Sequence, residues 1–241
     1  MSACPEAPPG QSSSPRQHCL RCLRPQSAHH DACICRWIRP VRVQTAVVVL
    51  QHPLEAQHPK GSARLLHLSL PGSCLLTGEV FDDAVLRSAL NRYPDAEGKP
   101  RQAVLLYPVE PDNQVQAALQ PPATADSIAS PLFDPARTCL VVLDGTWRKS
   151  RKMLHANGWL QRLPRLSLQA AAPSRYSAVR KARRPDQLST LEATCAALAQ
   201  LEGAPETFDA LLAAFDGFVA QQQQQQQPTT VLRHQRLSRA T

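Results

Sequence analysis

Residues 138–147 read TCLVVLDGTW, and the fold of the chain follows from this stretch. Its first six residues are apolar or β-branched without interruption, which is typical of a strand buried on both faces. Asp144 follows at once, then a glycine that permits a sharp turn, then Thr146 and Trp147, and a helix is predicted from there to about Asn157. Ligands of parallel sheets bind at the carboxyl ends of the strands, so Asp144 is the first candidate for chemistry.

Three other apolar runs also predict buried strands, and amphipathic runs between and after them predict helices. The strands are Thr45–Leu50, Ser73–Thr77 and Ala103–Tyr107, with a short fifth strand at Arg165–Leu168; the helices are Phe81–Arg92, Ser189–Leu201 and Glu206–Ala220. Buried strands that alternate with helices indicate an α/β fold with a mostly parallel sheet and helices on both faces.

The composition divides the chain into four segments. Residues 1–17 are rich in Pro and Ser and are predicted to be disordered. Residues 18–40 are rich in Cys, and residues 41–220 form the α/β domain. Residues 221–241 begin with seven glutamines, which predicts a low-complexity tail or at most an extension of the last helix. Without a signal peptide or a run of roughly 18 apolar residues, we expect a cytoplasmic protein and no membrane partner.

The positive charge of the chain is concentrated in one block. The formal net charge is +8, from 27 basic and 19 acidic residues. Eleven of the basic residues lie between Arg148 and Arg184, a stretch with no Asp or Glu, and the remainder of the chain is slightly acidic. Such a block favours a nucleic-acid partner, because phosphate contacts release counterions. The alternative is a solvated basic face without a specific partner.

Four cysteines near the N-terminus are spaced like ligands of a structural metal. They form two close pairs, Cys19-x2-Cys22 and Cys33-x-Cys35, which match a tetrahedral Cys4 zinc site. A polar segment this short has little core of its own, and a metal would stabilise it. The alternatives are ligands from His29 or His30, a redox pair and chance clustering. Cys74, Cys139 and Cys195 lie in apolar runs and are expected to be core residues.

Two more segments follow or begin buried elements with polar residues. Tyr107 and Pro108 end the third strand, and Leu188-Ser189-Thr190 begins a helix whose Ser189 and Glu192 form a capping box. Asp144 taken alone has a purely structural interpretation, since Asp is a common helix cap. No glycine-rich dinucleotide fingerprint or P-loop occurs in the chain, so neither class of nucleotide site is supported.

Taken together, these motifs resemble the DTW-domain family, which is named for its Asp-x-Thr-Trp motif. The likeness runs from about Cys19 to Phe218 and includes the DGTW turn with its basic helix, RYSAVRK at 175–181, LSTLEA at 188–193, the cysteine pairs and HPLE at 52–55. One departure is the loop after HPLE, where KGSA at 60–63 stands in place of the family's Asn- and Thr-containing turn.

The resemblance implies a fold and a reaction. It implies the knotted α/β fold of SPOUT methyltransferases and a tRNA-uridine aminocarboxypropyltransferase that uses S-adenosyl-L-methionine as co-substrate. Asp144 is then the catalytic candidate, either as general base toward uracil N3 or as a contact for the donor's amino group. Trp147 either stacks on a base or packs the helix on the sheet. The expected donor-binding set is Tyr107, Pro108, Thr146, Trp147, Leu188, Ser189 and Thr190. The expected tRNA-binding set is Arg148, Lys149, Arg151, Lys152, Arg175, Arg180, Lys181, Arg183 and Arg184.

Two other functions fit the same sequence. One is an RNA methyltransferase that uses the same donor, and the other is a zinc-containing RNA-binding module without catalysis. SPOUT-like enzymes often dimerise, so a homodimer is possible, but the sequence alone leaves the oligomeric state open.

Overall fold

The computed structural model describes residues 17–27, 30–108, 133–168 and 188–226. Five parallel strands form the main sheet in the order β5-β4-β7-β6-β8, and a small antiparallel sheet β1-β2-β3 precedes it. The strands are β1 (Gln17–His18), β2 (Pro25–Ser27), β3 (His30–Asp31), β4 (Ala46–Gln51), β5 (Ser73–Thr77), β6 (Gln102–Leu106), β7 (Thr138–Asp144) and β8 (Arg165–Leu166). The predicted parallel sheet is confirmed.

The sheet is covered on both faces by helices, as the uninterrupted apolar strands predict. The helices are α1 (Pro53–Ala56), α2 (Ala63–Ser69), α3 (Asp83–Leu90), α4 (Trp147–Ala156), α5 (Gly158–Arg162), α6 (Thr190–Glu202) and α7 (Asp209–Gln226). Alternate strand residues enter two separate cores: Val47 and Val49 of β4 face α2, α6 and α7, whereas Val48 and Leu50 face α3, α4 and α5. The period-2 alternation of strand side chains produces this division.

The register of the two central strands places their last residues side by side. β4 pairs with β7 along the whole of β4, and Gln51 lies opposite Asp144 at the carboxyl end of both strands. Thr77, the last residue of β5, lies on the other side of Gln51. Three adjacent strands therefore place polar residues side by side at the carboxyl end of the sheet, which is called the sheet edge below.

The Cys-rich segment packs on the same face as the C-terminal helix. Trp37 lies against Gly217 of α7 so closely that any Cβ there would overlap the indole ring. Its indole N–H donates to the side-chain oxygen of Gln221, whose amide donates to the carbonyl oxygen of Cys33 at 3.2 Å. The glutamine run thus begins as the last turns of α7, in agreement with the predicted alternative of a helix extension, and the buried role of Gln221 was not foreseen.

Several predictions fall outside the described residues. The predicted disorder of residues 1–17, apart from Gln17, and the predicted low-complexity tail beyond Gln226 lie there. So does the segment 169–187, which contains five of the predicted tRNA-binding residues. The knotted connection implied by the family likeness stays a prediction. Within the described part of the chain, no helix is long and apolar enough to cross a membrane.

Candidate functional site

Asp144 is a buried carboxylate held by two donors from neighbouring elements. The side-chain amide of Gln51 donates to Oδ2 at 2.8 Å, and the hydroxyl of Thr190 donates to Oδ1 at 2.6 Å. The backbone N–H of His52 donates to the Asp144 carbonyl oxygen at 2.9 Å. The side chain is therefore joined to β4 and to α6, and the N-cap of the helix that follows is Thr146.

Thr146 takes the capping role that the sequence alone would assign to Asp144. It is the N-cap of α4, and its hydroxyl oxygen accepts from the backbone N–H of Lys149. A side chain at position 145 would be crowded, because a Cβ there would lie 3.1 Å from the Cβ of Lys149 and 3.3 Å from Ser150 Oγ, so these neighbours would have to shift by a few tenths of an ångström. The tight turn leaves Asp144 at the sheet edge while α4 starts immediately beside it.

The N-terminus of α6 reaches the same edge through Thr190. Ser189 and Glu192 form the predicted capping box: the Glu192 N–H donates to Ser189 Oγ at 3.2 Å, and the Ser189 N–H donates to Glu192 Oε2 at 2.8 Å. Glu192 thus has the structural role expected for it. Ser62, in the loop where the sequence departs from the family pattern, is buried and accepts from the Leu191 N–H at 3.3 Å. This loop therefore helps to anchor α6.

A buried ion pair connects the HPLE segment to α4. Lys149 Nζ lies 2.7 Å from Glu55 Oε1, with side-chain exposures of 22% and 6%. Lys149 belongs to the predicted tRNA-binding set, but in this structure its ammonium group is bound within the protein. The pair fixes α1 beside the DGTW turn.

His52, Glu79 and Lys152 form a second polar chain at the ends of β4 and β5. His52 Nδ1 accepts from the Leu54 N–H, so the ring proton is on Nε2, which donates to Glu79 Oε2 at 3.1 Å. Lys152 Nζ lies 2.7 Å from Glu79 Oε1. Lys152, and to a smaller extent His52, hold the pKa of Glu79 below its usual range, so the carboxylate stays charged at neutral pH.

Trp147 stands at the edge of the site and is 49% exposed. Its ring meets the edge of the Tyr107 ring at a centroid distance of 5.5 Å and 79°. Arg165 lies over Tyr107 at 5.2 Å and donates to the Pro108 carbonyl oxygen at 3.0 Å. The indole is thus in contact with Tyr107 and about half-exposed, so part of its apolar surface is accessible to a ligand.

The predicted tRNA-binding residues divide into three groups. Arg148 and Arg151 are exposed and have no ion-pair partner among the described residues. Lys149 and Lys152 are paired with Glu55 and Glu79. Arg175, Arg180, Lys181, Arg183 and Arg184 lie outside the described residues.

Leu188, the remaining donor-site candidate, is half-buried beside Ser189.

The structure brings the four predicted metal ligands together. The Sγ atoms of Cys19, Cys22, Cys33 and Cys35 all lie within 4.8 Å of one another, with 3.5 Å between Cys19 and Cys35 and 3.8 Å between Cys22 and Cys33. A tetrahedral Cys4 zinc centre has sulfur–sulfur distances of about 3.8 Å, which follows from zinc–sulfur bonds of about 2.3 Å. The donor set and its size therefore fit a zinc ion.

The metal segment is joined directly to a loop of the site. Arg24, just after the first cysteine pair, donates to the carbonyl oxygens of His58, Pro59 and Gly61 at 3.1, 2.6 and 2.9 Å. That loop leads to Ser62 and so to the N-terminus of α6.

Cys74, Cys139 and Cys195 are buried in the two cores as predicted, and burial raises the pKa of Cys139 and of Cys195 to about 12.

Comparison with known proteins places these motifs in a family. The family model described as the DTW domain matches residues 16–223 of the chain. The chain belongs to the DTW-domain family. Its HPLE, DGTW and LSTLEA segments, which the sequence separates by up to about half of its length, meet at one edge of the DTW-domain sheet.

Curated relatives of this DTW-domain chain carry an enzyme name. The chain is 31% identical to tRNA-uridine aminocarboxypropyltransferase 2 of Drosophila melanogaster over 195 residues. The aligned region covers 79% of this chain and 69% of the fly protein. Proteins of the same name from Macaca fascicularis and Mus musculus are 26% and 28% identical, and the chain spans 59% of the length of each. No solved structure matches the chain.

Proposed function

We propose that this protein transfers the 3-amino-3-carboxypropyl group of S-adenosyl-L-methionine to N3 of a uridine in tRNA, giving the modified base acp3U and methylthioadenosine. The observation that carries the proposal is the position of Asp144, the N-terminus of α6 and the half-exposed Trp147 together at the carboxyl end of the sheet. The name of the curated relatives supports the reaction class.

The residues at this edge suit such a donor. The donor's sulfonium makes its attached carbons electrophilic, so the site must aim the methylene of the amino-acid side, and not the methyl group, at the uridine. Trp147 offers a flat surface for an adenine or a uracil ring, and the polar end formed by Asp144 and α6 suits an amino-acid group. In the overall reaction, N3 gains a bond to that methylene, the carbon–sulfur bond breaks with its electron pair left on sulfur, and the N3 proton leaves.

The Cys4 cluster is proposed to hold a structural zinc ion. Cys22 is almost fully buried, and the segment's apolar residues Ile34 and Ile38 belong to the same core as α2 and α7. Zinc bound by four thiolates has no open position for a substrate, so its contribution would be to hold the segment folded. The predicted cytoplasmic location, with its reducing environment, agrees with free thiolates as ligands and stays a prediction.

The reaction is tested by its products. Purified protein incubated with S-adenosyl-L-methionine and unmodified tRNA is expected to yield methylthioadenosine and a uridine heavier by the aminocarboxypropyl group, both measured by mass spectrometry. Asp144→Asn is expected to lose roughly a hundredfold or more in turnover, which shows that the product arises at this site. S-adenosylhomocysteine as the by-product would instead identify an RNA methyltransferase, and the absence of any product is what a non-catalytic zinc-containing RNA-binding module predicts.

The tRNA surface is proposed to include Arg148 and Arg151 on α4, together with the basic residues of 175–184 and the exposed part of Lys152. Changing Arg148 and Arg151 together to Gln should weaken tRNA binding and lower the slope of log affinity against log salt by roughly 1 to 2, because each lost phosphate contact releases about one counterion fewer. Arg137→Gln is a control for the loss of an exposed arginine elsewhere, since Arg137, which lies 3.8 Å from Asp95, precedes β7 at the opposite end of the strand. An unchanged slope in the double variant would remove α4 from the proposed surface.

A further inference from the structure

We infer that the turn Cys19–Arg24 of the Cys-rich segment is a second RNA-binding element, in which Leu20 and Leu23 contact unpaired bases and Arg21 contacts a phosphate. The partner, a tRNA, follows from the proposed function, on which this inference rests. The turn would extend the tRNA surface beyond α4 and the basic residues of 175–184.

Two large apolar side chains of this turn are exposed to solvent. Leu20 is 95% exposed and Leu23 is 59% exposed, although Cys22 between them is only 2% exposed. The turn is closed by its own backbone, since the Leu23 N–H donates to the Cys19 carbonyl oxygen at 2.8 Å. The Cys19 N–H donates to the Arg24 carbonyl oxygen at 2.9 Å. Exposed apolar side chains this close together on an ordered turn favour a contact with a partner.

The backbone of Leu23 has a conformation that does not suit leucine. Its φ is +57°, and no other non-glycine residue in the described part of the chain has a positive φ. In this left-handed region a Cβ atom crowds the following carbonyl oxygen, so glycine would be the more stable residue. A side chain that is both strained and exposed adds little to folding, and a role in binding accounts for its presence.

The charge around the turn favours a polyanion as the partner. Between residues 18 and 42 the chain contains five arginines and a single acidic residue, Asp31. A zinc ion with four thiolates would carry a charge of about −2, which leaves this stretch positive. Arg21, between the two leucines in the sequence, is itself exposed. Apolar side chains beside a cation suit unpaired RNA, which offers the faces of unstacked bases next to phosphates.

The turn lies at the same end of the sheet as the candidate site. Arg24 binds the loop 58–61, and Arg64 in the first turn of α2 donates to the Arg21 carbonyl oxygen at 3.0 Å. Between this loop and α2, Ser62 binds the N-terminal turn of α6. A tRNA whose uridine lies at the sheet edge is therefore expected to pass close to the turn with other nucleotides.

The test measures the affinity for unmodified tRNA as a function of salt. The double variant Leu20→Ser with Leu23→Gly should bind tRNA about tenfold more weakly, because apolar surface no longer covers the bases. Its slope of log affinity against log salt should equal that of the wild type, since no charge is lost. Arg21→Gln should instead lower this slope by about 1, which is the loss of one phosphate contact.

Leu23→Gly alone separates binding from stability. It should weaken tRNA binding about threefold, yet unfold at the same or a higher urea concentration than the wild type, because glycine relieves the strained backbone. A leucine with a purely structural role would give the opposite result, a less stable protein with unchanged affinity. This single variant decides the question if the double variant does not fold, as judged by circular dichroism.

A matched variant and a matched ligand serve as controls. Val85→Ser removes an apolar side chain that is 49% exposed on α3, outside the turn, and should bind tRNA like the wild type. A fully paired RNA duplex offers phosphates but keeps its bases stacked. The double variant Leu20→Ser with Leu23→Gly should therefore bind the duplex as tightly as the wild type does.

The outcomes separate this inference from the proposed function. Equal tRNA affinity of the wild type and the double variant would overturn the inference, and a changed sedimentation rate at that equal affinity would assign the turn to a contact between copies of the chain. An equal loss of affinity for tRNA and for the duplex would overturn the contact with unpaired bases. A wild type that binds tRNA through the turn but forms no methylthioadenosine would overturn the proposed function alone.

Discussion

If the Cys4 cluster holds zinc as proposed, Cys22→Ser should abolish zinc binding and lower the free energy of unfolding by on the order of 5 kcal/mol, because a structural zinc ion supplies binding energy that the short segment cannot replace. Cys22 is 2% exposed and lies in the same core as Ile34, Ile38 and Phe218. Losing the centre should therefore also loosen α7 where it packs on Trp37. Zinc content is measured by elemental analysis of the purified protein, and stability by urea unfolding.

Cys74→Ser is the control for this prediction. Cys74 is also a buried free thiol, but it lies in β5 and belongs to the other core. It should keep a full equivalent of zinc and lose only the small amount expected for a buried hydroxyl, about 1 to 2 kcal/mol. A wild-type protein with less than half an equivalent of zinc, or a Cys22→Ser variant that keeps its zinc, would contradict the Cys4 assignment.

The same change should be felt at the candidate site. Arg24 holds the loop 58–61 by three hydrogen bonds to carbonyl oxygens, and Ser62 at the end of that loop binds the first turn of α6. The metal segment is thus connected to Thr190 by a short series of polar contacts. A metal ion in the Cys4 cluster would therefore stabilise this connection as well as the Cys-rich segment itself.

The strands of this protein could be predicted because their sequence pattern is local. The run Thr138–Leu143 and the shorter run Cys74–Leu76 are apolar or β-branched on both faces, which is typical of strands in a parallel sheet. The capping box of α6 is local in the same sense, since Ser189 and Glu192 are three residues apart. Asp144 could be selected as a candidate because the end of a buried strand is where such sheets bind ligands.

The partners of Asp144 could not be predicted, because they depend on register and on long-range packing. Gln51 reads as the polar end of a strand, and only its position opposite Asp144 gives it a role. The likeness of HPLE to the family motif singled out Glu55 as a residue of interest. Its pairing with Lys149 depends on the helices that follow two adjacent strands lying side by side, which the sequence does not show. A basic residue within a charged block looks like a phosphate contact until its neighbours are known.

The first glutamines of the run were hidden by their composition. Seven identical residues contain no apolar periodicity of their own, so a low-complexity tail was the natural interpretation. The spacing of the preceding buried residues gives the missing signal: Leu211, Phe215, Phe218 and Gln222 follow each other at three and four residues along one face of α7. The helical pattern therefore continues into the run, where Gln221 binds Trp37 and Cys33.

Lys149→Met should destabilise the protein by about 3 kcal/mol, at the lower end of the range for breaking a buried ion pair from one side. The change leaves the Glu55 carboxylate, which is 6% exposed, without the ammonium group that neutralises it at 2.7 Å. Glu55 lies in α1, which begins directly after His52, and the His52 N–H donates to the Asp144 carbonyl oxygen. The loss of the ion pair should therefore also loosen the structure around Asp144. Urea unfolding of the wild type and the variant, analysed with a common slope, measures the difference.

Lys152→Met provides the matched control on the same helix. Lys152 also lies 2.7 Å from a glutamate, but the exposures of Lys152 and Glu79 are 67% and 31%, so solvent already screens the pair. Its loss should therefore lower the free energy of unfolding by less than about 1 kcal/mol. The double variant Glu55→Gln with Lys149→Met should regain much of the loss, because no charge is then left buried. Equal effects of Lys149→Met and Lys152→Met would contradict this prediction, because they would show that the burial of the Lys149–Glu55 pair adds nothing to its contribution to stability.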